Sequence, residues 1–187
     1  MQHAIAVLRT EVRLLWGCHV LRGEGAVLAS EDGTSCSGFA GLRLKVRSQY
    51  GATADEVVAV KSVGDGHYLV CLSPGFFRGV AAGDVIAYDE CNKSAQVVER
   101  GGNVAVQVFH AGIAGDVVES LKRAAIKIGG RVDGELESLV VLTFPVRIGF
   151  PAIEEILNAL PEDGVEWEYG NVFDEQGRPL AWWEDTT

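Results

Sequence analysis

Leu139-Val140-Val141-Leu142-Thr143-Phe144 is an unbroken apolar run with a single hydroxyl in it. A strand of that composition belongs where both of its faces are covered, because an alternating pattern would be enough for a sheet with one wet side. Its neighbours in sequence show what can cover it. Residues 131–136 form a shorter strand, with Arg131, Asp133 and Glu135 spaced two apart. Before it, Asp116 can cap a helix, with Glu119 three residues on as in a capping box. Ile113, Val117, Leu121, Ala124 and Ile128 supply the helix's apolar face, and Gly129-Gly130 ends it.

The same units continue outward on both sides. Upstream, Val104-Ala105-Val106-Gln107-Val108-Phe109 reads as a further strand. Downstream, Pro151 opens a second helix where its missing N–H is tolerated, Ile153, Ile156, Leu157 and Leu160 form its stripe, and Pro161 stops it. Val165-Glu166-Trp167-Glu168-Tyr169 then alternates strictly. Strand, helix, strand, strand, helix, strand is the split βαβ order of ferredoxin-like folds. That order places the first and third strands inside and the charged second and fourth at the edges, where Arg131, Asp133, Glu135, Glu166 and Glu168 oppose edge-to-edge pairing.

Residues 42–103 have a different grain. Leu42-Arg43-Leu44-Lys45-Val46-Arg47 alternates apolar with basic residues, and Glu56-Val57-Val58-Ala59-Val60-Lys61 and His67-Tyr68-Leu69-Val70-Cys71-Leu72 flank a Gly64-Asp65-Gly66 hairpin turn. A loop with two adjacent phenylalanines follows, Ser73-Pro74-Gly75-Phe76-Phe77-Arg78-Gly79-Val80-Ala81-Ala82-Gly83-Asp84, and leads into Val85-Ile86-Ala87-Tyr88. Residues 95–100 add another strand after a polar turn at 89–93. The fold class is therefore α+β, an antiparallel β-meander or half-barrel over residues 42–103 followed by a ferredoxin-like unit over 104–171. Residues 1–41 form an N-terminal extension with a short amphipathic helix expected over 4–16 and a polar linker over 30–38, and residues 172–187 form an acidic tail.

Several segments together resemble the bacterial family of domains of unknown function numbered 4265, over roughly residues 42–171. They are His67-Tyr68-Leu69-Val70, Pro74 with Phe76-Phe77, Gly79-Val80-Ala81-Ala82-Gly83-Asp84-Val85-Ile86, Val97-Val98-Glu99-Arg100-Gly101-Gly102-Asn103, Phe144-Pro145 and Trp167-Glu168-Tyr169-Gly170. The resemblance implies a bacterial cytosolic protein and carries over no catalytic residues. The N-terminal extension and residues 174–187 fall outside it.

Bulk composition limits the classes of function. The chain has 187 residues, is 48% hydrophobic and 22% charged, and so can bury a core. Net charge is −10, and residues 151–187 contain ten acidic groups (Glu154, Glu155, Glu162, Asp163, Glu166, Glu168, Asp174, Glu175, Glu184, Asp185) against Arg178 alone. Such a field repels phosphate backbones and attracts a basic protein partner, so no nucleic acid is expected. Cys18, Cys36, Cys71 and Cys91 make no Cys-x-x-Cys pair, which suits a reducing cytoplasm. Arg9, Glu11 and Arg13 interrupt the apolar N-terminus, so no membrane span or export signal is expected there.

Candidate chemistry is sparse. His67 and Cys71 share a strand face, but four residues of strand separate them by about 13 Å, too far for a direct hydrogen bond. His110 follows a strand end and reads as a solvated histidine. The sequence contains no Gly-x-Gly-x-x-Gly, Walker loop, Gly-x-Ser-x-Gly or His-Glu-x-x-His, so no catalytic residue, metal site or cofactor is assigned. The binding candidates are Phe76, Phe77 and Arg78 in the loop, Asp84 at its end, and Glu166 and Glu168 on the last strand. Asp84 reads most simply as an acceptor of backbone N–H groups, and the phenylalanines as a plug for the barrel end or a partner surface. Trp182-Trp183 lies among acids and suits either an interface or a tail folded back on the core.

The function this supports is a protein-interaction module without catalysis of its own, an immunity-type inhibitor of a basic toxin being one form of it. The alternative is a small-molecule-binding protein or enzyme with a pocket between the two halves, lined by Phe76, Phe77 and Arg78. Oligomeric state is not encoded in any of these patterns.

Overall fold

The computed structural model describes residues 39–47, 53–111, 115–174 and 176–186. The helix expected over residues 4–16 and the linker expected over 30–38 lie outside the described residues. The described chain is α+β, with two antiparallel sheets and two helices. The first sheet contains β1 (Ala40–Arg47), β2 (Thr53–Gly64), β3 (His67–Val70), β4 (Val85–Asp89) and β5 (Ser94–Glu99), side by side in chain order. The second contains β6 (Asn103–His110), β7 (Arg131–Leu136), β8 (Leu139–Pro145) and β9 (Val165–Tyr169), in the order β7-β8-β6-β9. Helix α1 (Gly115–Lys127) connects β6 to β7, and α2 (Phe150–Leu157) lies between β8 and β9.

The β2–β3 hairpin turns where the glycines are. Gly64 has φ +104°, Asp65 +50° and Gly66 +74°, three consecutive left-handed angles that glycine adopts freely and aspartate tolerates. β3 ends at Val70, two residues earlier than the apolar pattern suggests, because the chain leaves β4 there and enters the loop 71–84.

β8 pairs with β6 on one side and β7 on the other, and residues 139–144 are all buried. The two faces of this interior pair pack on different partners. Val104, Val106, Val108, Val140, Leu142 and Phe144 pack with Val118, Leu121 and Ala125 of α1 and Ile153 and Leu157 of α2. Phe109, Leu139 and Val141 pack instead with Phe76 of the loop and Val46 of β1. The first sheet has its own cluster of Leu44, Val58, Val60, Val70, Val80 and Ile86, and half-buried Phe77 touches both of the last two clusters.

The α1 stripe is rotated from its expected position. Val118, Leu121 and Ala125 are buried, whereas Val117, Ala124 and Ile128 are half-buried and Ile126 is 59% exposed. Packing against a twisted sheet, more than the spacing of apolar residues, selects the buried face here. The expected capping box is also replaced. Asp116 Oδ1 accepts the N–H of Val117 at 3.1 Å, while Glu119 forms an ion pair with Lys122, which reaches Glu135 of β7 at 2.7 Å. α2 ends at Leu157, short of Pro161, with the Asn158 N–H donating to the Glu154 carbonyl at 2.8 Å.

Candidate functional site

The loop 71–84 lies between the sheets and is held mainly through its backbone. Gly79 and Gly83 take φ +82° and +92°, and the Gly83 N–H returns to the Val70 carbonyl at 2.8 Å. A loop buried this deeply must satisfy its N–H groups, and three carboxylates from different parts of the chain supply the acceptors.

The first is Glu56 on β2, itself buried. Its carboxylate accepts the N–H of Gly75 at 2.7 Å and of Phe77 at 2.6 Å, and both of its oxygens share the N–H of Phe76 at 3.3 and 3.2 Å. Successive N–H groups converging on one anion form a nest. The occupant of this nest is the protein's own side chain.

The second is Asp133 on β7. Its Oδ2 accepts the Ser73 N–H at 2.6 Å and the Thr143 hydroxyl at 2.6 Å, and Arg131 Nε lies 2.7 Å from its Oδ1, an ion-pair separation at an angle poor for a hydrogen bond. Because the single Thr143 proton goes to Asp133, the 2.5 Å contact between Ser73 Oγ and Thr143 Oγ1 takes the Ser73 proton. Ser73 Oγ in turn accepts the Ala82 N–H at 3.0 Å. This polarised chain resembles a relay, but Ser73 is 1% exposed, so its hydroxyl braces the loop and is shielded from solvent. Gln107 of β6 adds a bond from Nε2 to the Pro74 carbonyl at 3.0 Å.

The third is Asp84, 0% exposed. It accepts the N–H groups of Ala81 at 3.0 Å and Gly101 at 2.8 Å and pairs with Arg100 at 3.0 Å. Burial pushes its carboxyl above the ordinary carboxylate value, against the opposing pull of those N–H groups and Arg100. The expectation that Asp84 accepts backbone N–H groups describes this geometry.

The other candidates surround this framework. Phe76 is 7% exposed and its ring lies tilted against that of Phe109, centroids 6.3 Å apart, so it fills the space between the sheets. Arg78 is exposed and forms an ion pair with Glu168 of β9, and beside it the Gly79 N–H donates to the Gly170 carbonyl at 2.7 Å. The structure therefore brings Phe76, Phe77, Arg78 and Glu168 together, with Asp84 at the far end of the loop. Glu166 lies two residues before Glu168, opposite Phe109. The tail folds back: Trp182 Nε1 donates to the Asn171 carbonyl at 2.7 Å, and Trp183 meets Phe150 at 5.3 Å.

His110, expected to be solvated, is 5% exposed with neither ring nitrogen hydrogen-bonded, because β6 continues one residue beyond its apolar run and takes the ring inside with it. Among the described residues no group of three His, Cys, Asp or Glu could hold a metal ion, and no helix is long and apolar enough to cross a membrane.

Glu56, Ser73, Arg100, Asp133 and Thr143, the residues that organise the site, were not singled out from sequence. A faint signal was present. Thr143 interrupts an otherwise apolar run, and Glu56 opens one, and a polar group in such a place needs a buried partner.

The family described as Domain of unknown function (DUF4265) matches residues 56–169, within the span of the resemblance read from the sequence. Among solved structures the chain is similar to a hypothetical protein from Neisseria gonorrhoeae described as a novel crystal structure. The TM-score is 0.59 and the identity 17%, covering 72% of this chain and 95% of that one, a likeness of fold.

Proposed function

The chain belongs to the family described as Domain of unknown function (DUF4265), and we propose that it is a protein-interaction module whose acidic side receives a basic protein partner. The observation that carries this reading is the position of Glu166 and Glu168 on β9, an edge strand, next to the acid-rich tail. Charges on an edge discourage pairing with copies of the same strand and favour a partner of opposite sign. Within this reading Phe76, Phe77 and Asp84 set the loop, and Arg78 with Glu168 forms the rim that the partner meets. An immunity-type inhibitor of a basic toxin domain is one concrete form, and a bacterial cytosol is its setting.

Two finer fold readings belong to the same proposal. The strand order β7-β8-β6-β9 with two helices supports a ferredoxin-like split βαβ unit. The Lys45 N–H, 2.7 Å from the Lys93 carbonyl, supports a first sheet curled toward a half-barrel, since it ties β1 to the turn before β5.

The test is capture of proteins from the native host by the full chain and by its Glu166→Gln/Glu168→Gln variant, at low and at high salt. A basic protein held at low salt, released by salt and missed by the variant is the expected result. Equal retention by both forms, or none by either, refutes the reading.

A further inference from the structure

We infer that the C-terminal tail is a strap, and that its docking on Arg100 sets the order of the loop 71–84. Arg100 joins the two. One nitrogen of its guanidinium, Nη1, donates both to the Gly79 carbonyl at 2.8 Å and to Asp84 Oδ2 at 3.0 Å. The guanidinium carbon lies 5.4 Å from the centroid of the Trp182 ring, within the range of a cation–π contact. The tail residue thus stacks on the side chain that bridges Gly79 and Asp84, in the second half of the loop. Without the ring, Arg100 gains water and rotamer freedom, and its two loop contacts weaken together.

Two features mark the tail as able to detach. Its docked form contains a strained residue: Ala181, immediately before Trp182, takes φ +53°, a left-handed angle that alanine adopts at a cost and keeps only where its surroundings impose it. The tryptophan anchor also follows an exposed stretch, with Phe173 38% and Leu180 37% exposed and the Asp174–Arg178 ion pair local to the tail. Segments with few buried contacts open at low free energy while the core stays closed. The inference rests on these contacts and is independent of the proposed partner.

Hydrogen exchange on the full chain tests it through the amides of Ala81 and Gly101, both bonded to Asp84. Trp182→Ala removes the ring. Ala181→Pro leaves both tryptophans and every charge in place but fixes φ near −65°, which the docked turn excludes. Both variants are expected to speed exchange at those two amides roughly tenfold, with amides in β6 and β8 unchanged. Trp182→Phe, which keeps a ring and loses the bond to Asn171, should fall between them and the wild type. Unchanged Ala81 and Gly101 amides in both variants, or the same acceleration throughout β6 and β8, overturns the strap.

Discussion

Glu56 on β2 accepts the backbone N–H of Gly75 at 2.7 Å, across nineteen positions of sequence, and through that bond a strand of the first sheet grips the loop that separates the two sheets. The same carboxylate also receives Phe76 and Phe77. Glu56→Gln keeps the size but turns an amide NH₂ toward N–H donors. We expect a loss of about 2–3 kcal/mol, read as a lower urea midpoint at constant slope, since buried donors left unpaired are penalised by about 1–3 kcal/mol each. An unshifted midpoint would show that water satisfies the loop equally well.

The Ser73–Thr143–Asp133 chain should behave as one unit. Thr143→Val preserves shape and removes the hydroxyl, and Ser73→Ala removes its partner. Each is expected to destabilise by about 1–3 kcal/mol, with a coupling of about 1 kcal/mol or more in the double-mutant cycle. Strict additivity would mean that the two hydroxyls act separately.

Two glycines separate steric from conformational demand. A Cβ on Gly101 would lie 2.2 Å from the Gly83 carbonyl carbon, a clash with backbone, so Gly101→Ala should lower stability by more than about 3 kcal/mol. Gly66 has open space around it but φ +74°, so Gly66→Ala should cost only about 1–2 kcal/mol. Thermal midpoints in the reverse order would mean that residues 83 and 101 can separate easily.

Burial pushes the His110 imidazole below its ordinary value of 6.5, with the Glu135 charge opposing more weakly. The unfolded chain therefore binds the proton more tightly, so stability is fully present above the ordinary value and is lost as pH falls through the lowered one. His110→Leu should flatten the decline of the urea midpoint between pH 7.5 and 5 relative to wild type. Parallel declines would assign the acid sensitivity to other groups.

The two arginines at the loop should differ sharply. Arg78 and Glu168 are solvent-accessible, and Arg78→Ala should change stability by less than about 1 kcal/mol. Arg100→Ala strands Asp84, whose side chain is fully buried, and should cost about 3 kcal/mol or more. Comparable effects on chemical denaturation would contradict the burial of Asp84.

Much of the local structure follows from sequence because its causes lie within a few residues. Gly64-Asp65-Gly66 turns the chain wherever it is placed. The charge spacing at 131–136 is no such guide: the pairing register shifts between Val132 and Gly134, and Asp133, expected among the edge charges, is buried against Ser73 and Thr143. The α1 stripe was legible only to within one position, because rotation of a helix on a sheet depends on the sheet. The burial of His110 is not legible in sequence, because burial at a strand end depends on what closes over it.

The loop between the sheets illustrates the division most clearly. Its glycines, its proline and its paired phenylalanines mark it in the sequence as an irregular, aromatic segment, since backbone freedom and side-chain type are local quantities. What anchors it from outside comes from Glu56, Arg100, Asp133 and Thr143, as many as seventy positions away from the residues they hold. A buried N–H can be satisfied by any carboxylate that reaches it, and nothing in the spacing of residues along the chain says which one will. Packing of the two sheets brought these side chains to the loop, and the same packing turned Phe76 inward and left Arg78 at the rim beside Glu168.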